Sequence, residues 1–287
     1  MKKTVLITGG NSGLGLHSAE QMAARGAEVL IGCRDRTRGQ AAVAHIKNHH
    51  PQARVRLFAL DLSDLAQVRS AARRLRDEIG ELDVLINNAG TVPTRQQFTA
   101  DGYEMQFGVN YLAPVLFTHL LLPLLRQAPS ARILHVASVA HWLGRINSRT
   151  WRGRFPYLVM DAYGQSKLGN ILFSNVLAQR LAREGITSNA LHPGGVDTGI
   201  FRHVPGPLRT LIRPTLITPE KAALLPVSMA LDEDFVGVTG GYFDARGRAR
   251  RSPSARNGAL AARLYEETTA LLELTPLTAA QPARVPG

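Results

Sequence analysis

The sequence holds a single cysteine, Cys33, in 287 residues. That excludes an internal disulfide and leaves no second thiolate for a cysteine-based metal cluster. Aromatic residues make up only 6% of the chain. Lysine is scarce as well, with Lys2, Lys3, Lys47, Lys167 and Lys221 the only ones among 34 basic residues. The formal charge of +12 is therefore carried by arginines, which are spread over the whole length. A nucleic-acid surface gathers its cations on one face with interleaved aromatics. Neither condition holds, so no nucleic-acid partner is expected, and attraction of an anionic cofactor or substrate is the more economical use of the field. The densest basic run, "ARGRARRSPSAR" (245–256), reads as a solvated loop. Repeats and low-complexity tracts are absent. The longest apolar stretch, "VNYLAPVLFTHLLLPLL" (109–125), is interrupted by Asn110, Pro114, His119 and Pro123, and reads as a buried helix rather than a membrane span. No signal segment opens the chain, because "MKKTVLITGG" runs straight into a strand-like stretch. The expectation is a cytoplasmic protein without stable membrane insertion.

What is present is alternation. Apolar runs at 4–8, 28–32, 54–60, 83–88, 132–138, 187–192 and 240–244 read as strands. Helical patterns lie near 13–25, 36–49, 63–80, 101–127, 161–184, 219–231 and 258–274. The strands are continuously hydrophobic, so both of their faces are covered, as in a parallel sheet wound by helices. The fold class expected is α/β, a doubly wound and mostly parallel Rossmann-type sheet of about seven strands. One domain spans 1–275, and a flexible Pro- and Ala-rich tail follows over 276–287.

The residues with chemistry to offer fall at the carboxyl edge of that sheet, where such folds bind ligands. The first strand leads into "TGGNSGLG" (8–15), which opens a helix. Gly9, Gly13 and Gly15 permit positive φ and close approach of backbone to a pyrophosphate. Asn11, Ser12 and Leu14 lie between them, at a helix start whose N–H groups favour anions. At the end of the second strand, "IGCRDR", an NAD site places a carboxylate for the ribose 2′-OH. Cys33 stands there instead and Arg34 follows, a planar cation suited to a 2′-phosphate. NADP(H) is the expected cofactor, while Asp35, one residue late, keeps NAD open.

"LDLSD" (60–64), with Asp61 and Leu62, and "NNAG" (87–90), with Asn88, Ala89 and Gly90, rim the same crevice. Read singly, they are a helix cap and a turn. Ser138 ends the fifth strand, and Asn110 sits in the helix after the fourth. "AYGQSK" (162–167) sets Tyr163 and Lys167 on one helix face. A phenol of pKa about 10 is a poor base at neutral pH, and a neighbouring ammonium is expected to lower it. A serine hydroxyl can orient a substrate oxygen. Ser138, Tyr163 and Lys167 together suit proton exchange with a carbonyl or alcohol while a nicotinamide exchanges hydride at carbon.

The ordered set "TGGNSGLG", Asp61–Leu62, "NNAG", Asn110, Ser138, "YGQSK" and "HPGGVDT" (192–198) resembles the short-chain dehydrogenase/reductase family over about residues 3–245. Within it, "GCRD", "ASVAHWLGRI" (137–146) and "AYGQSKLGNILFSNVLAQRL" (162–181) look most like the retinol dehydrogenase subgroup. The resemblance implies an NADP-dependent oxidoreductase. In it Tyr163 would give or take the proton, Lys167 would hold the nicotinamide ribose, Ser138 would position the substrate oxygen and Asn110 would hold a relay water. Asp61 would meet the adenine, Asn88 and Gly90 would flank the cofactor, and Pro193, Gly194, Val196 and Thr198 would line the nicotinamide. Family members often dimerise through the helix after the fourth strand and the Tyr–Lys helix, which implies a homodimer as a partner state. A non-catalytic nucleotide-binding relative would lack the Tyr–Lys pair, and a sugar-nucleotide epimerase would show T-G-x-x-G-x-x-G.

Two stretches stand outside these motifs. Between Ser138 and Tyr163 the inserted segment 139–161 must loop over the crevice or onto the flanking helix. After the nicotinamide motif, "GIFRHVPGPLRTLIRPTLIT" (199–218) reads as a lid that keeps water from hydride transfer, or as an amphipathic surface helix. Its apolar side points to a lipophilic or aromatic substrate. His45, His49 and His50 gather at a helix end, but no carboxylate or thiolate joins them at ligand spacing, so no functional metal is expected.

Overall fold

The computed structural model describes residues 3–195 and 217–278. Eight strands form one sheet: β1 (Thr4–Thr8), β2 (Glu28–Cys33), β3 (Arg54–Ala59), β4 (Val84–Asn87), β5 (Arg132–Val136), β6 (Thr187–Leu191), β7 (Tyr242–Asp244) and β8 (Gly247–Arg248). Their order is β3-β2-β1-β4-β5-β6-β7-β8. The first seven pair in parallel, and β8 turns back antiparallel on β7. The expected count of seven is thus exceeded by a two-residue edge strand, too short to leave a periodic signal.

The helices are α1 (Gly13–Ala24), α2 (Arg36–His49), α3 (Leu65–Glu78), α4 (Met105–Leu125), α5 (Val159–Arg180), α6 (Pro219–Leu231) and α7 (Gly258–Leu271). Strand side chains alternate between two cores. Leu6, Leu30, Leu85 and Ile133 pack with Val68 of α3, Leu116 of α4, Ile171 of α5 and Leu264 of α7. Val5, Ile7, Val29, Ile31, Val84 and Ile86 pack with Met22 of α1, Ile46 of α2 and Val227 of α6. Helices on both faces explain why these strands read as unbroken apolar runs. Chain order reverses between β1 and β4, which opens a crevice at their carboxyl ends.

Across Gly108–Leu112, α4 widens into a π-turn, in which the Ala113 N–H donates to the Gly108 carbonyl. The cause is Pro114, which has no N–H to offer the Asn110 carbonyl four residues earlier. Such single π-turns recur at functional sites. By length and composition α4 could cross a membrane, yet 83% of its apolar window is buried within the chain. Part of that cover is α7, through Tyr111 Oη to Thr268 Oγ1 at 3.1 Å and His119 Nε2 to Tyr265 Oη at 2.8 Å. α7 therefore covers part of the apolar surface of α4 within the chain.

Of the two readings of the inserted segment, the structure favours packing onto the flanking helix. Trp151 stacks on Phe107 with ring centroids 4.7 Å apart, an arrangement worth about 0.5–1.5 kcal/mol beyond burial. The Tyr157 hydroxyl donates to Glu104 Oε1 at 3.0 Å, and the Arg154 guanidinium pairs with the Asp161 carboxylate. The basic run 245–256 is exposed over 245–248, as expected of a solvated loop, and tethered farther on. Ser252 is buried, and Arg251 Nη1 donates to Asn175 Oδ1 at 2.8 Å. Residues 199–216 of the expected lid lie outside the described residues, while Thr218 caps α6 by accepting from the Lys221 N–H at 3.4 Å. The expected tail begins too early, because the Leu277 N–H is held by Tyr265 Oη at 2.9 Å. Residues 279–287 lie outside the described residues.

Candidate active site

At the carboxyl ends of β1 and β4, the Gly-rich turn and "NNAG" lock together. Thr8 Oγ1 accepts from the Asn88 and Ala89 N–H groups at 3.0 Å each, and Asn88 Nδ2 donates to the Thr8 carbonyl at 2.7 Å. A Cβ at Gly15 would lie 2.4 Å from the Gly9 carbonyl oxygen and 2.6 Å from Asn88 Nδ2, so the close approach requires glycine. Gly13 has φ +51°, a left-handed conformation that glycine adopts without penalty.

Asp35 and Asp64 cap α2 and α3 through their side chains, whereas Ser12 makes no such cap on α1 and no acid occupies its first turn. The free N–H groups of α1 border a cavity of about 430 Å³ lined by Asn11, Ser12, Leu16, Arg38, Ala41, Ala42 and His45. An uncapped helix start with a cation opposite suits the phosphates of a dinucleotide, and the residues present fit that group.

The end of β2 resolves the two carboxylates the sequence left in play. Asp35 Oδ1 accepts the Arg38 N–H at 3.0 Å, and its other oxygen lies 3.5 Å from Arg38 Nε. It is therefore spent on the helix. Asp61 stays on the rim, accepting from the Ser63 N–H at 2.8 Å and hydroxyl at 2.6 Å, with Arg34 Nε 4.0 Å away. Leu62 is buried in the core. Arg34 and Arg38 are 70% and 77% exposed, and each lies within 4.0 Å of a carboxylate, Asp61 and Asp35, that a ligand phosphate would have to outcompete. Arg38 was missed in the sequence, although "CRDRTR" places it one helical turn after Arg34. Cys33 is buried, which pushes its thiol up.

The proton-handling residues converge from three elements. Ser138 lies two residues past the end of β5 and caps the 3₁₀ turn Val139–Trp142, its Oγ accepting from the Ala140 N–H at 3.2 Å. Its side chain faces Tyr163 on α5 closely enough to pull the phenol's pKa down. Lys167, one turn along and 3% exposed, donates from Nζ to the Val136 carbonyl at 2.7 Å and lies 5.5 Å from the Tyr163 ring centroid. Asn110 is fixed by Thr91, accepting its N–H at 2.8 Å and donating to its carbonyl at 3.0 Å, and donates to Ser166 Oγ at 3.2 Å. A Cβ on Gly90 would lie 3.5 Å from Asn110 Oδ1 and 3.7 Å from Lys167 Nζ, so these three residues meet at one point.

The expected lowering of the Tyr163 pKa is corrected. Burial pushes the phenol up, and only the Ser138 hydroxyl pulls it back. Burial also lowers Lys167, to about 8. Desolvation of both groups outweighs their mutual charge effect. The chain thus holds its phenol protonated at neutral pH, the state a proton donor needs.

His141 was also missed. The Ser252 N–H donates to its Nε2 at 3.1 Å, so the ring proton sits on Nδ1 and is donated to the Ser138 carbonyl at 2.7 Å. This ring ties the tethered basic run to the backbone of Ser138. Just beyond, a Cβ on Gly144 would lie 2.3 Å from the Gly164 carbonyl, so the segment packs directly on α5 beside Tyr163. Next to that contact, and not over the hydroxyls themselves, opens a cavity of about 620 Å³ lined by Leu143, Arg145 and Tyr157–Asp161. Pro193 is buried at the end of β6 and Gly194 has φ +92°. Val196 and Thr198 lie outside the described residues. The argument against a carboxylate near His45 and His49 is overturned: Glu20 Oε1 of α1 lies 2.9 Å from His49 Nδ1.

Residues 3–206 match the family model for short chain dehydrogenase. Retinol dehydrogenase 12 of Mus musculus is 39% identical over 272 residues, 94% of this chain and 86% of that protein. Among solved structures, a protein from Mycobacterium Paratuberculosis aligns with a TM-score of 0.76 at 34% identity, covering 96% of this chain and 94% of that one. The Pseudomonas aeruginosa RhlG/NADP active-site complex aligns with a TM-score of 0.70 at 25% identity, covering 90% and 96%. Sheet order, site and sequence agree: the chain belongs to the short-chain dehydrogenase family, on its retinol dehydrogenase-like side, and is an oxidoreductase that uses a nucleotide cofactor.

Proposed function

We propose that this chain reduces a carbonyl on a lipophilic or aromatic small molecule with NADP(H), or oxidises the matching alcohol. The observation that carries the reading is the convergence of Ser138, Tyr163 and Lys167 at the crevice beside the uncapped start of α1. When bound, the cofactor supplies or accepts a hydride at its nicotinamide carbon. Ser138 orients the substrate oxygen through its hydroxyl. Tyr163, protonated at neutral pH, gives its phenolic proton to that oxygen in reduction and takes it back in oxidation. Lys167, with Asn110 beside it, restores the phenol's proton and favours the phenolate as it forms. Asn11, Ser12 and the α1 N–H groups hold the pyrophosphate.

The preference for the 2′-phosphorylated cofactor is supported by Arg34 and Arg38, and by the capping role that takes Asp35 out of play. Lipophilic substrates are supported by exposed apolar side chains on the insertion beside Ser138 and Tyr163, namely Val139, Trp142, Leu143, Leu158 and Met160. They are supported too by the retinol dehydrogenases among the relatives. Following NADPH oxidation by the purified chain with retinal, ketones, quinones and aromatic polyketides tests the reading. Turnover confined to apolar carbonyls is the expected result, and no turnover with any of them would defeat it.

A further inference from the structure

On the side of the molecule covered by α1, α2 and α6, a cluster of imidazoles and one carboxylate has no part in the chemistry above. His45 and His49 stand four positions apart on α2 and so share one face of that helix. Their rings meet edge-on with centroids 4.4 Å apart. Glu20 of α1 projects between them, with Oε1 2.9 Å from His49 Nδ1 and 3.6 Å from His45 Nε2. His50 approaches the same oxygen, its Nε2 at 3.9 Å. The ligand atoms of Glu20, His45 and His49 all lie within 4.8 Å of one another.

We propose that Glu20, His45 and His49 form a binding site for a late first-row divalent metal ion, with zinc the best fit. A tetrahedral zinc with bonds of about 2.0–2.1 Å has ligand atoms about 3.3 Å apart. The separations from Glu20 Oε1, 2.9 and 3.6 Å, bracket that edge, so the carboxylate already stands near ligand spacing from both imidazoles. Two imidazoles and one carboxylate select zinc, nickel or copper over magnesium and calcium, which want all-oxygen shells. The fourth position is open to His50 or water.

The cluster is also supported from outside, as metal sites are. His17 Nδ1 lies 3.7 Å from the other Glu20 oxygen, and His17 Nε2 lies 3.2 Å from Glu220 Oε1 on α6. An ion here ties α1 to α2. His45 also lines the cavity that holds Asn11, Ser12 and Arg38, beside the start of α1.

The test uses tag-free full-length chain, stripped with chelator, dialysed, and titrated with ZnCl₂ by calorimetry. One equivalent should bind, and the melting temperature should rise by roughly 5 °C at 100-fold excess over Kd. Titration with Co²⁺ should give the intense visible bands of a tetrahedral site. Glu20→Gln should weaken zinc at least about 10-fold, and the double change His45→Ala with His49→Ala should abolish the site. All three side chains reach the surface, so the variants should melt near the stripped wild type when no metal is added. Equal zinc isotherms for wild type and double variant would place any bound metal elsewhere and overturn the proposal. So would a wild type that takes no zinc, which would leave a simple hydrogen-bonded Glu–His cluster.

Discussion

Replacing Arg34 and Arg38 by alanine, singly and together, probes the proposed cofactor selectivity at the two side chains it rests on. A hydrogen bond from a cation to a phosphate is worth about 1.5–3 kcal/mol. Both arginines are largely in water, 70% and 77% exposed, so screening holds each to the lower end of that range. Arg34 also has Asp61 Oδ2 at 4.0 Å. Opposite charges at that distance interact by about 1 kcal/mol in water, and Arg34 partly exchanges this contact for the phosphate. Each single change should therefore weaken NADPH about 10-fold, and the double change about 100-fold if the two act independently. The Arg38 main chain still supplies the N–H that Asp35 accepts, so α2 keeps its cap in the variants. NADH lacks the 2′-phosphate and should bind all four proteins alike. Calorimetric titration of both cofactors at low and high salt measures this, with the NADPH advantage shrinking as salt rises. A wild type that binds both cofactors equally, or variants that lose both in parallel, would refute the assignment.

Acid stability should depend on His135, which is fully buried with its pKa pushed down to about 3. The unfolded chain takes up a proton at this residue below about pH 6.5 while the folded chain does not, so stability falls with pH by about 1.4 kcal/mol per unit across that window. Urea unfolding at several pH values should show this slope reduced by that amount in His135→Gln; an unchanged slope would mean the residue is charged when folded. His141 positions Ser138 through its carbonyl, so His141→Ala should lower kcat by about 10- to 100-fold while leaving cofactor affinity in place. Steady-state kinetics beside cofactor calorimetry separates the two, and an unaltered kcat would remove the positioning role.

Much of this was legible in the sequence for a simple reason. A parallel sheet buried on both faces writes its strands as apolar runs, and β1 through β7 all fell where those runs lie. Tyr163 and Lys167 were readable because helical spacing alone puts them on one face. What escaped depends on which elements lie side by side. Nothing near "AHIKNHH" reveals that Glu20 faces it, because α1 and α2 meet only in the folded chain. The direction of the Tyr163 shift was misjudged because spacing shows the neighbouring charge but not the burial that outweighs it. The cover that α7 gives the apolar stretch of α4 also escaped, because it comes from far along the chain. Pro114 was visible, but its effect on the Asn110 turn required knowing that the helix continues through it.

The central claim is that Tyr163 is the proton donor, and the rate of Tyr163→Phe tests it most directly. The substitution removes the hydroxyl while keeping the ring beside Lys167. With the best carbonyl substrate and saturating NADPH, kcat should fall at least about 100-fold, the usual worth of general acid catalysis, and NADPH affinity should be nearly unchanged. Reduction at the wild-type rate would contradict the account.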